Sequence, residues 1–189
     1  MSLQLNSVNG SVTLVPEDGA GNANVIVPRG GLGKVLQVIT TPKTDTFIST
    51  NTTWTDVTGM AVSITPSSLS SRVGVNISLG AVGGTTILGT VAFRLMRDIT
   101  PIGVGDALGG RIQSSFRVVT QADGNHSHGG ISFDWVDSPS TTATTTYKLQ
   151  FQCQASRQVT INRTALDANV VAAYGARAAS SITVKEIAA

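Results

Sequence analysis

His126 and His128, in the run GNHSHGG, are the one local pair in this chain with an evident chemical use. On an extended strand, residues i and i+2 project to the same side, so the two imidazoles could share a metal ion. Zinc commonly takes a third or fourth protein ligand, and Asp123 is the nearest candidate in sequence. Trimerisation with this segment on the axis would bring three copies of the pair together. The flanking glycines favour a polar surface loop over a metal site, and no cofactor is expected.

Other constellations fall short of a reaction. Asp134 and Asp137 flank Trp135, but a separation of three places them on opposite faces of a strand, where they cannot act as the paired carboxylates of a glycosidase. No G-x-S-x-G elbow is present, and Cys153 shares strand parity with Leu149 and Phe151, so it reads as a small buried hydrophobe. In RGGLGKV, Val35 stands where a phosphate loop needs Ser or Thr, and GVGDALGG misses the dinucleotide spacing. Trp54 and Trp135 could stack on sugars, although core or interface anchoring is the ordinary use of sparse tryptophans. An enzyme is not expected.

The 189 residues are 41% hydrophobic but only 13% charged, against roughly 25% in an average soluble domain. Either Ser and Thr cover the exposed strands or much of the surface is buried against other subunits, and both suit a particle component. The net charge of +2 does not signal a nucleic-acid partner, because Lys and Arg are scattered singly. Arg94 and Arg97, beside Asp98, read as a solvated surface pair. No signal segment opens the sequence and no apolar run approaches the roughly 18 residues of a membrane span, so synthesis in the cytoplasm and no membrane insertion are expected.

Strand signals recur with turn punctuation near residues 35–40, 45–49, 60–65, 72–79, 88–97, 112–120, 131–137, 145–154, 158–163 and 181–187. Val73, Val75, Ile77 and Leu79 share one parity, as do Tyr147, Leu149, Phe151 and Cys153; Ile182, Val184 and Glu186 follow the pattern less cleanly. One apolar and one wetter face per strand predicts an all-β antiparallel, jelly-roll-like sandwich. Residues 1–40 read as an amino-terminal β-arm and 41–189 as the sandwich, with a soft boundary near Thr40 to Lys43 where Pro42 interrupts the rhythm. In the arm, the runs at Val12–Val15 and Val25–Val27, joined by PEDGAGN, suggest a hairpin preceded by a strand over Leu3, Leu5 and Val8. The segment ALDANVVAAYGARAA, interrupted by Gly175, predicts a long loop with at most one helical turn.

The pattern GSVTLVPEDGAGNANVIVP followed by GKVLQVI resembles the amino-terminal segment of tailed-bacteriophage virion proteins, often tail-fibre or structural proteins, particularly from phages of cyanobacteria and marine bacteria. The likeness continues through TPKTDTFISTNTTWTDVTGMAVSITPSSLSSRV, Leu95 to Asp98, ISFDWVDSPSTTATTTYKLQFQ and SSITVKEIAA. It implies a non-enzymatic virion structural protein: a homotrimeric tail-fibre or receptor-binding component, or else a capsid-decorating cement or head-spike protein, with a carbohydrate-processing tailspike enzyme as a third reading. Its implied partners are copies of itself, other tail or capsid proteins and a host surface glycan, and its implied place is the virion surface. The His126–His128 loop has no counterpart in the pattern.

Overall fold

Alternation builds the core. In the computed structural model, Val73, Val75, Ile77 and Leu79 on one strand and Tyr147, Leu149, Phe151 and Cys153 on another are all buried, while the residues between them face outward or lie half-buried. Each fully buried aliphatic or aromatic side chain contributes about 1.5–3 kcal/mol, so these two strands alone anchor the interior. The structure describes residues 7–8, 11–12, 34–84, 89–120 and 128–189.

In the first of two compact units, strands β1 (Ser7–Val8) and β2 (Ser11–Val12) form a short antiparallel ladder. The expected strand runs at residues 3–5, 13–15 and 25–27 lie outside the described residues. The second unit spans Val35–Ala188 and contains β3 (Val35–Lys43), β4 (Phe47–Ser49), β5 (Thr55–Ile64), β6 (Arg72–Gly83), β7 (Gly89–Arg97), β8 (Thr100–Ile102), β9 (Phe116–Thr120), β10 (His128–Asp137), β11 (Thr145–Cys153), β12 (Val159–Ile161) and β13 (Ser180–Ile187). The boundary expected near Thr40 to Lys43 falls inside β3, which runs through Pro42 and pairs with β13 along its length. Proline is tolerated there because β3 pairs on that side only and is an edge strand.

Two antiparallel sheets result. One carries β3, β13, β6 and β10 in that order, with β12 and β4 continuing beside β6 where β13 leaves it; the other carries β5, β11, β7 and β9, with β8 beside the far end of β7. The pairings β3 with β13, β5 with β11, β6 with β10 and β7 with β9 nest one inside another. That winding makes the all-β sandwich a jelly roll. The inward side chains of both sheets form one core, and at one open side Phe93, Phe116 and Phe133 stack in sequence at 5.0 and 5.3 Å, bridging the sheets between β9 and β10.

Several buried polar side chains are held by hydrogen bonds and ion pairs. Asn162, held at φ 63°, donates to the carbonyls of Lys43 and Asp45 at 2.8 and 3.0 Å and accepts from the Ser180 hydroxyl at 2.6 Å. The Lys43 ammonium, with its side chain wholly buried, reaches out to Asp45 at 2.9 Å. Glu186, at an inward position of β13, is 1% exposed; its Oε1 accepts from the Ser67 amide and hydroxyl and the Ser71 hydroxyl, and its Oε2 from Gln37.

Burial by itself pushes the Glu186 carboxyl up, but the hydrogen bonds from Ser67, Gln37 and Ser71 together outweigh it and hold the group at about 2, below its ordinary 4.5. A carboxyl depressed on folding stabilises the native state above its unfolded value, and that contribution fades as pH falls from about 4.5 toward about 2. Urea denaturation at pH 5 and pH 3 should therefore show a larger loss for the native sequence than for Glu186→Gln, which cannot titrate. Equal losses in the two proteins would remove Glu186 as the source.

Candidate functional site

The outer face of the β5–β11–β7 sheet carries a side-chain network set by strand register. Gln150 on β11 lies opposite Asp56 on one side and Arg94 on the other. That alignment depends on an irregularity in β5: Lys148 pairs with Ala61 but Gln150 with Asp56, so residues 57–60 stand opposite Leu149 alone. Gly59 makes the bend at φ 82°, a conformation that suits a residue lacking Cβ.

Within this row the Gln150 amide donates to Asp56 at 2.6 Å and its carbonyl accepts from Arg94 Nε at 2.9 Å, while Lys148 bonds the second Asp56 oxygen at 2.8 Å. The Arg94 guanidinium lies over the Trp54 ring, 4.3 Å from its centroid. Partial burial lowers the Arg94 pKa and the Asp56 charge opposes that shift. In the neighbouring row, Gln152 faces Ala92, which pairs in turn with Arg117 on β9. A shallow groove of about 260 Å³ runs beside it, lined by Thr90, Ala92, Ile112, Gln152, Cys153 and Gln154.

Of the residues singled out from sequence, those that are described lie in separate places. His126 and Asp123 lie outside the described residues, and His128 begins β10 with its backbone opposite Gly83. No cluster of three or more potential metal ligands occurs among the described residues. Asp134 and Asp137 do take opposite faces: Asp134 is exposed and accepts from Asn76 at 2.7 Å, whereas Asp137 is 7% exposed and binds Arg97 at 3.0 Å and the Tyr147 hydroxyl at 2.7 Å. Burial, then the Asp137 hydrogen bond, push the Tyr147 phenol well above its ordinary range. The Cys153 thiol is buried, and burial pushes it up to about 11, away from nucleophilic use at neutral pH.

The solvated pair expected of Arg94 and Arg97 with Asp98 does not form. Arg97 points inward to Asp137, Arg94 outward to Trp54 and Gln150, and Asp98 accepts from the Thr146 amide at 2.9 Å instead. The three-residue spacing of Arg94 and Arg97 on β7 already implied opposite faces. Trp54 is half-buried beneath Arg94, and Trp135 is 41% exposed at the β10 edge, where its ring covers Gly103.

A second exposed feature is the loop from Ala165 to Ala179. It contains a single 3-10 turn, Ala173–Gly175, and Asp167 ties its base by ion pairs to Arg163 at 3.3 Å and Arg177 at 2.7 Å. Leu166, Val170, Val171 and Tyr174 are exposed along this loop.

No known protein family matches the chain, and no curated protein matches it. Among solved structures it is similar to the infectious bursal disease virus Gx strain structure, at 13% identity and a TM-score of 0.39, over 94% of this chain and 42% of that one. It is also similar to a mutant VP2 protein of infectious bursal disease virus from derived T=1 particles, at 13% identity and a TM-score of 0.41, over 98% of this chain and 43% of that one. The chain thus spans less than half the length of these two viral chains.

Proposed function

We propose that this protein is a non-enzymatic structural component of a virion, displayed on the particle as a homotrimeric tail-fibre or receptor-binding part. The carrying observation is the jelly-roll winding of the strands, an architecture that serves viral coat and lectin domains. Fold alone does not assign function. The resemblance of the amino-terminal segment and of the β10–β11 region to tailed-phage virion proteins narrows the choice. The exposed apolar residues of the 165–179 loop suit burial against a neighbouring copy, and the segment before β3 suits attachment by strand addition. The protein would be made in the host cytoplasm and carried outward on the particle, with other virion proteins as its fixed partners. A second reading, capsid decoration, draws on the winding of the strands into one knob.

Gold labelling of the protein on intact particles, with sedimentation of the purified chain, tests this. Label at the tail and a trimeric sedimentation mass are expected. Label over the head would favour decoration. Unlabelled particles would end the virion assignment, and a monomer over a wide concentration range would end the trimer.

A further inference from the structure

We propose that the outer face of the β5–β11–β7 sheet binds an acidic saccharide, with the Arg94 guanidinium receiving its carboxylate. This rests on the display reading above only for the choice of a saccharide. The geometry stands independently.

Arg94 is held ready without being used up. Trp54 supports the guanidinium plane and Gln150 holds Nε, but the terminal nitrogens Nη1 and Nη2 have no hydrogen-bond acceptor among the described residues. Arg97, Arg163 and Arg177 by contrast all close on aspartates. The nearby acid, Asp56, is bonded by Lys148 and Gln150 and makes no ion pair with Arg94. Arg117, exposed on β9 diagonally across β7, adds a second guanidinium on the same face. Among the described outward residues of β5, β7, β9 and β11, Arg94, Arg117 and Lys148 therefore stand against Asp56. A planar guanidinium with an open fork matches a carboxylate through two parallel hydrogen bonds, and fixing it beforehand removes part of the entropy cost of binding.

The adjoining groove narrows the ligand further. Its lining, which includes Ala92, Ile112, Cys153 and Gln152, is largely apolar, and the Gln152 amide donates through Nε2 to the Thr52 carbonyl at 2.6 Å. An open guanidinium fork beside an apolar groove suits a ligand that carries an oxyanion next to an apolar ring face. A uronic-acid sugar has both, and the oligonucleotide in the test below covers a phosphodiester chain.

Calorimetric titration of the full chain in low salt with a galacturonic acid trisaccharide, the neutral galactose trisaccharide and a thymidine oligonucleotide tests the assignment. The acidic sugar should bind about tenfold or more tightly than the neutral one. Arg94→Gln should weaken it by about tenfold, Arg117→Gln by a smaller factor, and Arg72→Gln, on the other sheet, should leave it unchanged. Arg117 is exposed, so its variant keeps the test decisive if Arg94→Gln does not fold. Equal affinity for both sugars, or acidic-sugar binding indifferent to Arg94→Gln and Arg117→Gln, would overturn the proposal. So would tighter binding of the oligonucleotide, which would give the face to a polyphosphate. Unlabelled particles with the sugar binding intact would sink the display reading alone.

Discussion

Asn162→Ala should lower the unfolding free energy by about 4 kcal/mol, a large fraction of the roughly 5–15 kcal/mol of a typical domain. The amide joins segments remote in sequence: the end of β3 and the link after it through the carbonyls of Lys43 and Asp45, and the start of β13 through Ser180, whose hydroxyl also accepts from the Gly80 amide at 3.1 Å. Asn162 is fully buried, so removing the amide leaves carbonyls and a hydroxyl unmet in a dry site. Alanine must also adopt φ 63°, a left-handed conformation that costs it roughly 1 kcal/mol or more. Asn162→Gly lifts the backbone part and should recover about that amount. Urea denaturation at pH 7 measures both variants. A loss below about 1 kcal/mol for Asn162→Ala would mean that water replaces the amide.

Phe151→Ala should cost about 3–5 kcal/mol by the same measurement. Phe151 has no exposed surface, sits on a central strand of its sheet and meets Phe47 edge-on at 5.3 Å, so its ring joins β11 of one sheet to β4 of the other. Truncation forfeits the transfer free energy of the ring, the edge-to-face contact and the packing of the cavity lining. Val171→Ala, at a fully exposed position, should fall within about 0.5 kcal/mol of the native protein. Similar effects at the two positions would contradict the placement of the core between the sheets.

The strands legible in sequence were those whose alternation is enforced by a single dry face. Val73 to Leu79 and Tyr147 to Cys153 declare themselves because every second residue must leave water. Local spacing places the start of β5 near Met60, but the strand begins at Thr55, since its first residues are mostly polar and Gly59 breaks the parity: Val57 and Met60 are both buried although three apart. Strand β8 has no counterpart among the expected strands. It follows β7 across a two-residue turn in which Asp98 adopts φ 51°, and an Asp–Ile pair carries no strong turn signature. Glu186 marred the pattern of β13 for a physical reason, because an inward carboxylate is tolerated only when remote residues such as Gln37 and Ser67 supply donors. The Arg94 network was invisible for a similar reason: which residues face Gln150 depends on the β5 irregularity, and local spacing cannot report it.

Strand β13 lies between β3 and β6, with Val38 beside Lys185 and Asn76 beside Thr183. During translation, the ribosome releases β3 and β6 long before the strand that separates them. Until residues 180–187 emerge, both early strands present unpaired backbone along the edge that β13 will occupy. Pairings between residues so far apart in sequence make for slow folding, and open edges invite association with other chains. Closure of this sheet therefore waits on its last strand, and nascent chains that stop short of Ser180 should engage chaperones.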